Sequence, residues 1–446
     1  MTKRIMHIGL DDTDSARRGC TTYVAALLVE KLEGLGASLF DYPNLIRLNP
    51  NVPWKTRGNG ALCLRMQYDE NVKKNIKEVV TSTVEEHSDL EFKGTEPGIV
   101  FFCKARIPME IKIFAKNTIS QIVSLKEAFR LLTKFGAEAV GFKSGRGIIG
   151  SLAAVGETLQ GDHTYEILAY RVPENYGIKR KVDEASIFEM DRATAPYTFN
   201  NVDFEKNRVI ITPRGPDPIL FGIRGETPEI VKKAFAMVRP LEPVDRWMIF
   251  RTNQGTDAHL KRAESLSQMK PYRPVIARGI VSASPRTIPR RHVIFQITDE
   301  TGQIDCAAYE PTGSLRRVAA GLIIGDKVEA YGSVRVPTQD RPLTVNLEKI
   351  RVLKLAEEVS YRNPKCKGCG KRLKSMGKNK GFRCEKCGSR YVGLKKIEIK
   401  LKRDLEKGLY ITATRSQRHL TKPFGRYGLE KHHVIVKELI EEWHYP

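Results

Sequence analysis

The sequence predicts a multidomain α/β protein that closes with a five-stranded OB-fold barrel and a four-cysteine zinc ribbon. The chain's size and make-up, a run of strands and a cysteine pattern carry this. The chain has 446 residues, room for about two to four domains. With 41% hydrophobic and 28% charged residues, it can bury real cores and is not generically disordered. Between residues 274 and 353 three strand-like runs, a short helix and two further strands follow one another. Immediately after them come two Cys-x-x-Cys pairs.

Residues 3–10 read as a short strand, with no apolar leader before it. It runs into Asp11-Asp12-Thr13-Asp14-Ser15. Three carboxylates in four residues at a strand end repel one another unless cations hold them. Mg²⁺, a hard ion that takes oxygen ligands and bridges to phosphates, suits Asp11 and Asp12. In the plainer reading the cluster is an acidic turn that caps a helix. The next residues, Arg17-Arg18-Gly19-Cys20-Thr21-Thr22, precede an apolar helix over 23–35. A glycine-containing loop with basic side chains at a helix N-terminus is a natural phosphate seat. Thr21 or Thr22 is then either a plain N-cap or a hydroxyl placed beside metal and phosphate. No Walker-type GxxxxGK[ST] occurs.

Two more loops carry cations among glycines and prolines. Residues 47–60 include Arg47, Lys55 and Arg57 around Trp54, with two prolines and two glycines. This segment cannot be regular helix and reads as a rigid loop able to clamp phosphates. Lys143-Ser144-Gly145-Arg146-Gly147 opens onto an apolar stretch and reads as a second such loop. Pro240 to Pro243 and Met269 to Pro274 read as linkers.

The barrel follows. Its strands are expected over 274–284, 292–298 and 303–309, its helix over 313–322, and its last strands from 325–333 and over 343–353. Val293, Phe295 and Ile297 alternate as a half-buried strand should. Such barrels commonly bind single-stranded nucleic acid, though many are scaffolds only.

Cys366, Cys369, Cys384 and Cys387 form two knuckles, each with a glycine just after its second cysteine. Four thiolates complete a tetrahedral Zn²⁺ shell, so the metal is structural. About thirty residues have too little core to fold alone, and metal binding supplies the difference. The other four cysteines are scattered among apolar residues and read as small hydrophobes. Lys plus Arg is 75 against 52 acids, a net +23. Residues 361–446 alone hold 23 Lys/Arg and 8 Asp/Glu. A chain so basic seeks a polyanion. Lys367, Lys371, Arg372, Lys374, Lys378 and Arg383 decorate the ribbon and suit a phosphate backbone. No apolar run approaches the ~18–20 residues of a membrane span, so the expected setting is the cytoplasm, without a membrane partner.

Several motifs in fixed order resemble one family, the archaeal tRNA 2-agmatinylcytidine synthetases (TiaS). They are Gly9-Leu10-Asp11-Asp12-Thr13-Asp14-Ser15 with Gly19-Cys20-Thr21-Thr22-Tyr23, Arg47-Leu48-Asn49-Pro50 with Lys55-Thr56-Arg57-Gly58-Asn59-Gly60, Gly145-Arg146-Gly147 with Leu152-Ala153-Ala154-Val155-Gly156, and Phe221-Gly222-Ile223-Arg224-Gly225-Glu226. The barrel and ribbon follow in the family's order, and the resemblance covers residues 1 to about 390.

The resemblance implies a kinase-like catalytic domain over 1–195, open to interruption by part of a ferredoxin-like unit, and a ferredoxin-like agmatine-binding module over 196–270. The OB-fold spans 273–355, the ribbon 361–392, and a basic C-terminal tail 393–446. It also implies the reaction. Agmatine is ligated to the 2-carbon of the wobble cytidine in the CAU anticodon of isoleucine tRNA, ATP activates the base carbonyl by phosphorylation, and the tRNA then decodes AUA. Asp11, Asp12 and Asp14 fall on the family's metal- and nucleotide-handling positions, and Thr21 on its phosphorylated threonine. Arg18, Thr22, Arg47, Lys55, Arg57, Lys143 and Arg146 are the candidate ATP and phosphate ligands. Asp203, Asp217, Gly222 and Glu226 are candidates for the agmatine pocket, whose core strand is expected over 208–212; turn and salt-bridge roles remain open for each acid. The ribbon and tail are expected to hold the tRNA body. None of the nine histidines is assigned to chemistry. Two other readings stand beside the ligase: another nucleotide-dependent phosphotransferase on RNA, and a non-enzymatic RNA-binding protein.

Overall fold

A computed structural model describes residues 3–339, 341–377, 379–433 and 438–446. The α/β, barrel and ribbon architecture is borne out.

The first 260 residues build most of a sheet of eleven strands. Its central path runs Glu138–Gly141, Gly98–Phe102, Arg4–Asp11, Gly60–Tyr68, Asn44–Arg47, Val244–Thr252, Thr164–Arg171, Ile219–Gly225, Thr198–Phe199. Neighbours are antiparallel except where Asn44 and Leu45 pair in parallel with Arg251 and Thr252. That short contact fuses two sub-sheets into one. Both faces of the first sub-sheet are buried. Leu62, Leu64, Ile99 and Phe101 face one core with helices Thr21–Gly34 and Lys73–His87. Ala61, Cys63, Val100 and Phe102 face the other with helices Met109–Ser120, Leu125–Phe135 and Gly147–Gly156. Helices Glu184–Thr194 and Pro228–Met237 cover the second sub-sheet.

Helix Gly147–Gly156 lies directly on strand backbone. A Cβ at Gly9 would meet the Ser151 carbonyl, and one at Gly150 would meet the Asp11 carboxylate. Both positions need glycine for close approach.

The barrel is closed. Pro274–Ile288 pairs with His292–Thr298 and Lys327–Arg335, His292–Thr298 with Gln303–Ala308, Gln303–Ala308 in parallel with Thr344–Lys354, and Thr344–Lys354 with Lys327–Arg335. Helix Ser314–Ala320 stands between the third and fourth strands, as the OB pattern predicts.

Two expectations are corrected. The strand expected over 208–212 is only Arg208–Val209, half of a two-stranded hairpin with Val202–Asp203. Asn207 turns that hairpin at φ 45°, and Pro213 lacks a ladder donor. The module's core strands are instead Thr164–Arg171, Ile219–Gly225 and Val244–Thr252. Residues 393–446 are not a tail. Ile397–Lys400 pairs with Val359–Arg362, Gly408–Ile411 adds to the barrel, and His444–Tyr445 adds to Val244–Thr252. Trp443 is buried in the main core. No helix among the described residues is long and apolar enough to cross a membrane.

Candidate functional site

The expected first strand ends where it should, on Asp11. Asp12 follows at φ 60°, a left-handed turn that Asp tolerates. The turn brings Asp11, Asp12 and Asp14 to one cleft of about 450 Å³. Arg146 donates to Asp12 Oδ2 at 2.9 Å, as does the Glu96 amide at 3.2 Å. Arg57 Nε donates to Asp14 Oδ2 at 2.8 Å. Among the described residues no Lys or Arg pairs with Asp11. Burial, then the charge of Asp12, pushes the Asp11 carboxyl well above its ordinary range. Burial raises Asp12 to about 6, against the pull of Arg146. Carboxylates whose charge is disfavoured by burial and by one another are a donor set that a divalent cation relieves.

Helix Thr21–Gly34 begins beside this cluster. Its N-cap is Cys20, which makes no side-chain cap, so neither threonine is the cap that the plainer reading assigned. Thr21 and Thr22 are the first helical residues, both lining the cleft. Thr13 Oγ1 donates to Thr21 Oγ1 at 3.0 Å, which leaves the Thr21 proton free for the cleft. The first amides of a helix have no partner within it and favour anions.

The loop 47–60 forms the opposite wall. Arg57 reaches Asp14, the Gly19 carbonyl at 2.7 Å and Asp217 Oδ2 at 3.1 Å. One guanidinium thus ties the aspartate corner to the second sub-sheet. Arg47 lies 3.8 Å from Glu166, and burial draws its pKa down to about 10. Lys55, Arg146, Asp217 and Gly222 also line the cleft. Asp217 is held by Arg57 and by Arg180 at 3.2 Å.

Four expected residues lie elsewhere. Arg18 is exposed and pairs with Asp89 at 3.5 Å. Lys143 Nζ donates to the Phe92 carbonyl at 2.7 Å. Asp203 is buried against Arg415 at 2.8 Å, and Glu226 against Arg426 at 2.5 Å and Lys431 at 2.8 Å. Neither acid lines the cleft, so the structure does not bring either to a ligand there.

Two cleft residues were missed, Glu166 and His419, and a third, Arg224, was read only as part of a motif. Glu166 is a lone acid in Thr164–Arg171, a strand buried along its whole length. That placement alone demands partners: Arg224 Nε at 2.9 Å and Gln254 Nε2 at 2.5 Å. A Cβ at Gly222 would stand 2.6 Å from Leu168 Cδ2 and 3.3 Å from Glu166 Oε1, so glycine there leaves room for both side chains. His419 comes from the C-terminal segment and carries no local signal.

In the ribbon the four cysteine sulfurs lie within 4.8 Å of one another, with Cys366 and Cys387 at 3.5 Å and Cys369 and Cys384 at 3.4 Å. A tetrahedral Zn²⁺ with ~2.3 Å bonds sets sulfurs about 3.8 Å apart, so the set fits that ion. Lys367, Lys371, Arg372, Lys374 and Arg383 are exposed. Lys374 also pairs with Glu385. Lys378 lies outside the described residues.

Family models match almost the whole chain: the TiaS TCKD domain over 7–144, the TiaS FLD domain over 145–259, an OB-fold nucleic acid binding domain over 275–353 and the TiaS C-terminal zinc ribbon over 363–405. The first junction thus falls at 144/145, where the sequence reading set it near 195. The isoleucine-tRNA 2-agmatinylcytidine synthetase TiaS of Methanocaldococcus jannaschii is 43% identical over 426 residues, 94% of this chain and 98% of its own. That of Archaeoglobus fulgidus is 41% identical over 428 residues, 96% and 99%. A solved complex of TiaS with its isoleucine tRNA and ATP superposes with TM-score 0.87 at 42% identity, covering 95% of this chain and 97% of that one. A complex of TiaS with the same tRNA, AMPCPP and agmatine gives 0.84 at 39%, covering 95% and 97%.

Proposed function

We infer the activity from one premise: the chain belongs to the tRNA 2-agmatinylcytidine synthetase (TiaS) family. It is an ATP-dependent tRNA-modifying ligase. It joins agmatine to the 2-carbon of the wobble cytidine in the CAU anticodon of isoleucine tRNA, and the product decodes AUA. The observation that carries this reading is the single cleft in which Asp11, Asp12, Asp14 and Thr21 face Asp217 and Gly222 across Arg57.

The chemistry follows from what each wall can hold. A ring carbonyl oxygen is a poor leaving group until it carries a phosphoryl group. The amine of agmatine then attacks carbon 2, a C–N bond forms, the C–O bond breaks and phosphate departs. Asp11 and Asp12 would hold Mg²⁺, which would supply charge neutralisation to the triphosphate. The helix amides at Thr21 and Thr22, with Arg57 and Arg146, hold the triphosphate, and Arg47 and Lys55, beside His419, hold the RNA phosphates that flank the target base. Donors fixed before the reaction cost no reorganisation during it. Thr21 Oγ1 faces the transferring phosphoryl group. Asp217 is the remaining candidate for the cationic ends of agmatine, and Arg57 links its occupancy to Asp14. Zn²⁺ on Cys366, Cys369, Cys384 and Cys387 is structural and rigidifies a basic module. Lys367, Lys371, Arg372, Lys374 and Arg383 meet tRNA phosphates there. The setting is the cytoplasm, where tRNA is modified.

Incubation with the CAU-anticodon isoleucine tRNA, ATP and labelled agmatine tests this. Label in the tRNA, with a mass increase on one cytidine, is expected. ATP turnover without label points to another phosphotransferase, and tRNA binding without ATP turnover to a non-enzymatic binder.

A further inference from the structure

His419 reaches the cleft on a segment that returns from the ribbon. Its carbonyl accepts from the Gly255 amide at 2.8 Å, and the Leu420 carbonyl from the Asp257 amide at 2.8 Å. The segment is docked by charge: Arg415, Lys422, Arg426 and Lys431 all pair with acids of the catalytic half.

The imidazole is set by two competing contacts. Its Nδ1 lies 3.0 Å from Arg224 Nη2 and 2.9 Å from Gln254 Oε1. Glu166 orients both neighbours, accepting from Arg224 Nε and Gln254 Nε2. Gln254 therefore turns its oxygen to the ring and asks for a proton on Nδ1. Arg224 can only donate and asks for a lone pair. A charge-assisted bond is roughly twice as strong as a neutral one, so Arg224 prevails and the proton sits on Nε2. Nε2 stands where a Cβ on Gly58 would be only 3.0 Å away. There the cleft meets a second groove of about 770 Å³ that runs along the barrel past Arg335 and Arg418. Burial, then Arg47, Arg224 and Lys55, keeps the ring uncharged.

Each substrate has a different claim on this corner. The triphosphate belongs with the aspartates and their cation. Agmatine, a dication, is repelled by Arg47, Arg224 and Lys55, and both oxygens of the one carboxylate there, Glu166, are already taken by Arg224 and Gln254. An uncharged base edge between backbone phosphates remains. We propose that His419 is a positioning residue for the target nucleotide, its Nε2–H donating to a ring acceptor of the flipped pyrimidine as the RNA enters from the barrel groove. This rests on the ligase reading above.

The test uses the full chain with a transcript of the CAU-anticodon isoleucine tRNA. Gln at 419 returns a donor near Nε2, whereas Asn serves only the Nδ1 side. H419N is expected to lower kcat/KM for tRNA roughly 10- to 100-fold, with the KM for agmatine and the melting temperature unchanged; H419Q recovers most of it. H419M, which keeps the length of Gln but offers no donor, is expected to show the tRNA-specific loss that H419Q escapes, and decides the matter if H419N does not fold. Wild-type kcat/KM in H419N, equal defects in H419N and H419Q, or a loss that falls on agmatine overturns the proposal. A wild-type chain that puts no agmatine on tRNA overturns the ligase reading instead.

Discussion

Replacing Gly150 by alanine tests whether the aspartate corner is a built site. Gly150 belongs to helix Gly147–Gly156, which packs against the first strand. A Cβ there would stand 2.5 Å from Asp11 Cγ and 3.0 Å from Asp11 Cβ. Ordinary carbon contacts are about 3.5 Å or more, so the carboxyl carbon must retreat by about 1 Å or the helix must lift. Overpacking of this kind costs about 1–3 kcal/mol. A misplacement of about 1 Å in a catalytic constellation costs on the order of 10²-fold in rate. The expected result is a fall of about two decades in ATP-dependent agmatine transfer, with tRNA affinity held within a few fold. Gly34→Ala is the control: nothing lies within 4 Å of its Cβ, so the same substitution at the end of a helix meets no obstruction. Initial rates and thermal melting of both variants measure the contrast. If G150A keeps the wild-type rate, Asp11 is not held in a working geometry, and the account of the corner is wrong.

Asp12 gives a pH signature. Burial raises its pKa from the ordinary 3.8 to about 6. Its buried charge therefore burdens the metal-free fold fully above about pH 6, and the burden lifts as pH falls toward the unfolded value. Mg²⁺ should raise the melting temperature more at about pH 7.5 than at about pH 5.5, and D12N should abolish the difference; an equal shift at both pH values refutes it. Cys384→Ser should release zinc, measured by metal analysis, and weaken tRNA binding, because the ribbon core holds little besides Leu373, Phe382 and the cysteines. Unchanged binding would remove the ribbon from the tRNA interface. Arg426→Leu removes a fully buried guanidinium from Glu226 and Asp162 and leaves them only Lys431 and Lys422, and should cost about 1.5–3 kcal/mol in urea unfolding; a loss under about 0.5 kcal/mol would show the segment is not held by charge.

What was legible in the sequence was whatever repeats or clusters locally. The ribbon is spelled by two knuckles, and the barrel by alternation: Val293, Phe295 and Ile297 are all buried. The aspartates and Thr21 stood out because like charges beside a glycine-containing turn demand an explanation. The long sheet was not legible, since strands buried on both faces carry no alternation. Thr164–Arg171 is buried at all eight positions, so its period is invisible. The expected core strand at 208–212 failed for the converse reason. Its apolar residues close a small hairpin, not a ladder.

The misassigned acids share one cause with the misread tail. Between residues 410 and 431 stand Arg415, Arg418, Lys422, Arg426 and Lys431, and none is exposed. Their partners include Asp203, Glu205, Glu226, Asp162 and Glu348, up to 264 residues away. A basic count in sequence therefore overstates the charge offered to RNA, and an acid count overstates the carboxylates offered to agmatine, because each set neutralises the other in the fold. Burial would raise Glu348, yet His259 and Arg418 hold it down to about 2, so the carboxylate stays ionised across the physiological range. Among the described residues after 361, the cations left for phosphate lie before residue 408, on the ribbon and its flank, where Lys395, Lys396, Lys402 and Lys407 remain exposed. It follows that the C-terminal region's share of the salt dependence of tRNA binding belongs to the ribbon side. The segment after it spends its charge on placing His419.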